Sequence, residues 1–185
     1  MSIGKLVDCG RPMTAFLLLI ASIGCAGRPE GAGADSAQAA VAAVAAPELL
    51  VQLERGPCMG RCPEYRVGLF SDGRVQYRGG PNSVVQGDQS AQVAGDAVRR
   101  LHADLLVAGA ATADSAYTVG NPVCTAYIAD LPTVVLSVQV RGSLKRILYD
   151  PGCQGAPDYL AEYATRLDSL AGTAPWVRGP SEKAP

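Results

Sequence analysis

Hydrophobic side chains recur in two rhythms along this chain, one of period two and one near three and a half. From Glu48 to Glu54 (ELLVQLE) they alternate, with Leu49, Val51 and Leu53 on one face and Leu50, Gln52 and Glu54 on the other. That is the pattern of a half-buried β-strand. Tyr65–Phe70 and Arg74–Arg78 alternate in the same way and flank Ser71-Asp72-Gly73. A two-residue Asp-Gly turn pairs Phe70 with Val75 and sends Tyr65, Val67 and Leu69 to the face of Gln76 and Arg78. A three-residue loop with Gly73 left-handed pairs Phe70 with Arg74 and gathers Tyr65, Val67, Leu69, Val75 and Tyr77 on one face. The second register is expected, because the slip buries two polar side chains.

Within the Gly- and Gln-rich segment from Val84 to Val93, Gln89–Val93 reads as a weak further strand. Ala94, Val98, Leu101, Leu105 and Ala108 then fall at helical spacing, predicting a helix from about Asp96 to Ala108 that stops at Gly109. Thr112–Pro132, broken by Asn121-Pro122 and Leu131-Pro132, reads mostly as loop. Thr133–Tyr149 predicts a second hairpin with a Gly142-Ser143 turn, Val134, Leu136, Val138, Val140, Ile147 and Tyr149 facing inward, and Lys145 near the tip. The last helix has Pro157 in its first turn, Asp158 and Glu162 near its positive end, the stripe Leu160, Tyr163, Leu167 and Leu170, and Gly172 as its stop. Trp176 is expected to pack back on the domain edge. Strands come in groups rather than alternating with helices. The expected fold is therefore a two-layer α+β domain, with an antiparallel or mixed sheet of about five to six strands and two helices on one face.

The chain before Glu48 follows neither rhythm. Lys5 and Arg11 precede an apolar run, Met13–Ile23, that leads into Ser22-Ile23-Gly24-Cys25. Residues 1–24 are predicted to be a signal peptide. The apolar run is about half the ~20 residues that a helix needs to cross a bilayer. Its ending resembles the lipobox of bacterial lipoproteins, with Ser22 where that motif usually has Leu. The resemblance implies a lipid on Cys25 as the new N-terminus. Residues 25–47, mostly Ala and Gly, read as a lipid-anchored flexible tether, 48–176 as one domain and 177–185 as a disordered tail. The address implied is the periplasmic side of a bacterial cell envelope, with membrane contact through the lipid. Ala26 stands after the anchor in place of the Asp that retains many such proteins at the inner membrane, which favours the outer membrane.

At 185 residues and 48% hydrophobic, the chain suits one core with appendages. A net charge of -1 and the lack of any basic run exclude nucleic acid as the expected partner. An oxidising compartment gives the six cysteines their meaning. With Cys9 in the leader and Cys25 at the anchor, Cys58, Cys62, Cys124 and Cys153 remain for the domain. Four cysteines allow three connectivities. Cys58–Cys62 with Cys124–Cys153 is favoured, because Gly60 lets the first loop curl and the second pair brackets the later hairpin.

The competing chemistry makes Cys58-x-x-x-Cys62-Pro63 a thiol-redox or copper-handling site. C-x-x-x-C-P also occurs in copper-delivery proteins of thioredoxin fold, where two thiolates hold Cu(I). Met59 is a candidate soft ligand, whereas His102, the chain's one histidine, lies beside the first helix's apolar stripe and reads as a packing residue. The strand and helix order differs from thioredoxin. Otherwise no metal and no cofactor is expected.

A further candidate follows from the first hairpin's register, which sets Arg66 across from Arg78, close to Arg74 and Phe70. Like charges directly opposed are destabilising, so compensation is expected from Glu54 or Glu64. The functional alternative is an anion-binding face of Arg66, Arg74, Arg78 and Phe70, for a lipid headgroup, a cell-wall polymer or an acidic envelope protein. No G-x-S-x-G, H-E-x-x-H, G-x-x-x-x-G-K-[ST] or dinucleotide fingerprint occurs. Asp130, Asp150, Asp158 and Glu162 fit turns or helix starts, and Tyr117 a loop anchor. The expectation is a non-catalytic binding or structural module.

Four local patterns carry a family resemblance: Pro57-Cys58-x-Gly60-x-Cys62-Pro63-x-Tyr65, the Asp72-Gly73 hairpin with Val75 and Tyr77, Asp130-Leu131-Pro132, and Leu167-Asp168-x-Leu170. From about Leu49 to Trp176 the chain resembles the family called domain of unknown function 6438, found in bacterial secreted proteins and lipoproteins. The resemblance implies a domain boundary and brings no catalytic residues with it.

Overall fold

The structure, a computed structural model, describes residues 46–178. The expected signal peptide, Cys25, nearly all of the tether and the tail beyond Arg178 lie outside the described residues. In chain order the elements are β1 (Leu49–Arg55), β2 (Tyr65–Phe70), β3 (Arg74–Gly79), β4 (Gly87–Gln92), α1 (Gly95–Val107), β5 (Ala116–Tyr117), β6 (Ala126–Tyr127), β7 (Val134–Val140), β8 (Ser143–Tyr149), β9 (Cys153–Gln154), α2 (Tyr159–Ala171) and α3 (Ala174–Val177).

Seven strands form one sheet in the order β4-β3-β2-β1-β7-β8-β5, and β6 pairs with β9 in a second, two-stranded sheet. The large sheet is mixed, since β5 runs parallel to β8 while the other pairs are antiparallel. Five of the six long strands are those expected from alternation, and β4, Gly87–Gln92, stands where a weak strand was expected at Gln89–Val93. The seventh strand, the small sheet and α3 go beyond the expected five to six strands and two helices.

The first hairpin has the three-residue loop. Gly73 takes φ +89°, its N–H donates to Phe70 O at 2.9 Å, and Arg66 stands opposite Arg78. This register sends Tyr65, Val67, Leu69, Val75 and Tyr77 into the core. In the second hairpin Val140 pairs with Ser143, so the turn is Arg141-Gly142 rather than Gly142-Ser143. Both turn residues have positive φ, +49° and +86°, which suits the twist of the flanking strands. Moving the turn by one residue shifts every pair by two, so each side chain keeps its face, and Val134, Leu136, Val138, Ile147 and Tyr149 are buried as expected.

Leu49 departs from expectation. A bulge between Leu49 and Val51 places Leu49 opposite Phe70, while Leu50 turns into the core. One extra residue reverses the alternation that precedes it.

Helix α1 buries Val98, Leu101 and Leu105, and α2 buries Leu160, Tyr163, Ala164, Leu167 and Ala171, all within one core with the inner residues of the sheet. Gly172 ends α2 in the left-handed conformation. Trp176 of α3 packs back as expected, its ring 5.0 Å from that of Tyr77. Among the described residues no element covers the sheet's other face, where Arg66, Gln76, Arg78, Ser90 and Arg146 are exposed.

Candidate functional site

Two regions hold the residues singled out by sequence: the open face of the sheet and the disulfide-bearing end of β1 and β2. Strand alternation builds the first. Arg66 on β2 and Arg78 on β3 face each other and point outward. Their repulsion is relieved by two carboxylates. Glu54 on β1 accepts from Arg66 Nη2 at 3.1 Å and from Arg146 Nη1 at 2.7 Å, an ion pair that reaches across β7. Asp88 on β4 takes Arg78 through two bonds of 2.7 and 2.9 Å. Burial pushes the Glu54 carboxyl up, but hydrogen bonds and charge from Arg66 and Arg146 outweigh it and hold it below its ordinary value. Glu54 is thus one compensator named from sequence, whereas Glu64 pairs with neither arginine and Asp88 takes its place. Arg74 lies over the Phe70 ring at 4.0 Å, and its Nε is buried with no hydrogen-bond partner.

These side chains surround a trough. Gly68, between Arg66 and Phe70 on β2, has no side chain to fill the floor. One hollow of about 670 Å³ lies over Leu49, Gln52, Gly68, Phe70 and Gln76, and a second of about 580 Å³ over Glu64, Gly79, Gly80, Thr133 and Val135. Arg66 and Arg78 border both hollows.

At the end of the sheet Cys58 is bonded to Cys62 and Cys124 to Cys153, the pairing favoured from sequence. The first disulfide closes the loop that joins β1 to β2, and the second ties the Thr112–Pro132 loop to β9. Met59 is 81% exposed. With their sulfurs bonded to each other, Cys58 and Cys62 present no thiolate pair, so binding of a soft metal there requires reduction first. His102 bonds through Nε2 to Gln139 O at 2.7 Å, beside the opposite end of β1. Among the described residues no three His, Cys, Asp or Glu side chains converge in a metal-holding group. Tyr117 anchors its loop, its hydroxyl accepting from Asp114 N at 3.1 Å. Asp150 caps the turn at Gly152 N at 2.8 Å, Asp130 sits at positive φ in a turn, Asp158 precedes α2, and Glu162 lies in its first turn.

Beside the first disulfide is a cluster that inspection of the sequence missed. Asp168 of α2 accepts from Arg55 Nη2 at 2.8 Å and Nε at 3.1 Å, from the Tyr65 hydroxyl at 2.7 Å and from Thr173 Oγ1 at 3.0 Å. Arg55 Nε also donates to the Tyr65 oxygen at 2.9 Å. Burial first, and then the Asp168 carboxylate, push the Tyr65 phenol well above its ordinary range. The cluster borders a hollow of about 260 Å³ whose walls include Cys62, Pro63, Tyr65, Pro132 and Asp168. Pieces of three of the four patterns behind the family resemblance therefore meet at one place. The available signal was Asp168 itself: an aspartate in the last turn of a helix opposes the helix dipole and asks for a partner.

One open sheet face, helices confined to the other, and two disulfides at the loops define a small disulfide-stapled α+β module. The chain belongs to the DUF6438 family: the family's model, described as a domain of unknown function, matches residues 49–171. Among curated proteins none matches the chain.

Proposed function

We propose that the chain is a lipid-anchored module of the bacterial cell envelope, held through Cys25 on the periplasmic side, that binds an envelope component rather than catalysing a reaction. The outer membrane is the favoured location, and the residues from Ala26 to Pro47 give the domain its reach. The observation that carries the binding reading is the uncovered sheet face, where Arg66 and Arg78 stand together where two hollows meet. A like-charge pair held in a trough by carboxylates on the flanking strands is ready for an anion, because guanidinium groups retain donors beyond those an ion pair takes up. The leader pattern ending at Cys25 supports the address.

Envelope fractionation tests both halves. The native chain is expected in the membrane fraction with an acylated Cys25 by mass spectrometry. A full chain carrying Cys25→Ser is expected to co-sediment with isolated envelopes, and adding Arg66→Ala and Arg78→Ala is expected to release it. An unacylated Cys25 overturns the anchor. A Cys25→Ser chain that stays in the supernatant overturns the binding role.

A further inference from the structure

We propose that the trough takes an acidic polysaccharide, a sugar chain bearing carboxylates, and not an acidic peptide or an anionic membrane. The proposal rests on the reading of the open face as a binding surface and names its ligand class. The two hollows follow one another along β2 and β3, one on either side of the Arg66–Arg78 pair that borders both, and the six residues of β2 give this run a length of roughly 17 Å. That length suits an extended oligomer.

The lining is chemically mixed. Arg66 gives only Nη2 to Glu54, and its Nε and Nη1 have no protein partner among the described residues, with 53% of the side chain exposed. A carboxylate reaching that edge need not displace Glu54. Gln76 and Ser90, cross-strand partners on the outer face, border the trough, and their side chains make no hydrogen bond to the described protein. Carboxamides and hydroxyls offer donor and acceptor together, which matches the dual character of sugar hydroxyls. Phe70, with Arg74 over one ring face, adds apolar surface beside the hollow.

The alternatives fit less well. A peptide held in an extended form gains its affinity from main-chain pairing at a sheet edge. The trough lies over the sheet, where β2 is paired on both sides and its main chain is already engaged. A membrane surface meets convex basic and apolar patches, whereas Arg66 and Arg78 flank a depression whose floor is Gly68.

Affinity electrophoresis of the full chain carrying Cys25→Ser, in gels containing polygalacturonate, dextran or poly-L-glutamate, tests the assignment, with flotation on phosphatidylglycerol vesicles alongside. Polygalacturonate is expected to retard the chain, and dextran and poly-L-glutamate much less. Arg66→Gln with Arg78→Gln is expected to weaken the polygalacturonate interaction roughly tenfold or more. Gly68→Leu fills the floor, since even a Cβ there comes within 2.9 Å of Leu49 Cδ1, at the end of a side chain that can move, and it is expected to do the same without removing charge. Circular dichroism confirms that both variants fold. If poly-L-glutamate retards the chain as strongly, or the vesicles carry it, and the arginine variant abolishes that binding, the polysaccharide assignment is wrong and the face remains a binding surface. Polygalacturonate binding that both variants leave intact overturns the face itself. No retardation by any polymer overturns the polysaccharide assignment.

Discussion

Asp168 occupies the last turn of α2, where the helix dipole disfavours a carboxylate, yet four hydrogen bonds from Arg55, Tyr65 and Thr173 converge on it. Asp168→Asn keeps the shape and removes the charge. Breaking a buried ion pair from one side costs about 3–5 kcal/mol. The Arg55 and Asp168 side chains are 25% and 19% exposed, which places this pair at the lower end of that range. Relief at the helix terminus returns about 0.5 kcal/mol, so the net loss is about 2.5 kcal/mol. With a urea slope of about 2 kcal/mol/M, the midpoint falls by more than about 1 M.

Trp176, the only tryptophan in the chain and packed on Tyr77, reports unfolding by fluorescence. Tyr65→Phe removes one donor to Asp168 and one acceptor from Arg55 and is expected to cost about 1.5 kcal/mol. Because the two residues share one network, the double variant falls short of the sum by about 1 kcal/mol. Additivity within about 0.3 kcal/mol refutes the network. The pH profile gives an independent check. Tyr65 keeps its proton in the folded state above the pH at which an unfolded tyrosine loses it. Its contribution is therefore full below about pH 10 and declines as pH rises further. In Tyr65→Phe the alkaline loss of stability is shallower, and an unchanged slope contradicts the assigned environment.

The two disulfides differ in the loops they close, with sequence separations of 4 and 29. Chain entropy gives about 2 kcal/mol for the first and about 3.5 kcal/mol for the second, so replacing Cys124 and Cys153 by Ser lowers the thermal midpoint more than replacing Cys58 and Cys62. The reverse order contradicts the loop argument. On the open face Glu54 holds Arg66 and Arg146, and its lowered pKa means that its share of stability is present above about pH 4.5 and lost as pH falls through the folded value. Glu54→Gln therefore shows a flatter acid limb in urea midpoints between about pH 5 and pH 3. A limb as steep as that of the native chain removes Glu54 as the titrating partner.

Period-two alternation served β1, β2, β3, β7 and β8 well because each buries one face, and a slip of one residue would expose the whole set, whereas β4 is almost wholly exposed and gave only a weak pattern. That is why the cross-strand meeting of Arg66 with Arg78, and of Arg74 with Phe70, is legible in the sequence. Their counterions were harder to place. Arg146 reaches Glu54 only because β7 separates β1 from β8 by a single strand, and that order is set by the whole sheet. The bulge at Leu49 left no local mark, since Leu49 and Leu50 are chemically alike and either suits the core. β5, β6 and β9 have two residues each, too few for a period, and β9 is placed beside β6 by Cys124–Cys153 as much as by its ladder. Arg141 at positive φ carries no glycine signal, so the second turn was displaced by one position.

The residues that carry the family resemblance and those that line the trough fall into different parts of the molecule. Cys62, Pro63, Tyr65, Pro132 and Asp168 gather where the first disulfide, the approach to β7 and the end of α2 meet, and Gly73, Val75 and Tyr77 set the turn and inner face of the first hairpin. Each makes architecture: a staple, a core side chain or a tie between sheet and helix. Arg66, Gln76, Arg78, Asp88 and Ser90 belong to none of those patterns and sit on the outer face, where side chains change without disturbing the core. The family resemblance therefore bears on the scaffold, and the proposed ligand rests on the open face alone. A protein with the same stapled end and a neutral trough is expected to fold identically and to ignore acidic polymers. Grafting Arg66, Arg78 and Asp88 onto such a scaffold tests that separation directly: acquired retardation by polygalacturonate supports it, and a folded graft that still ignores the polymer shows that recognition draws on more than the trough.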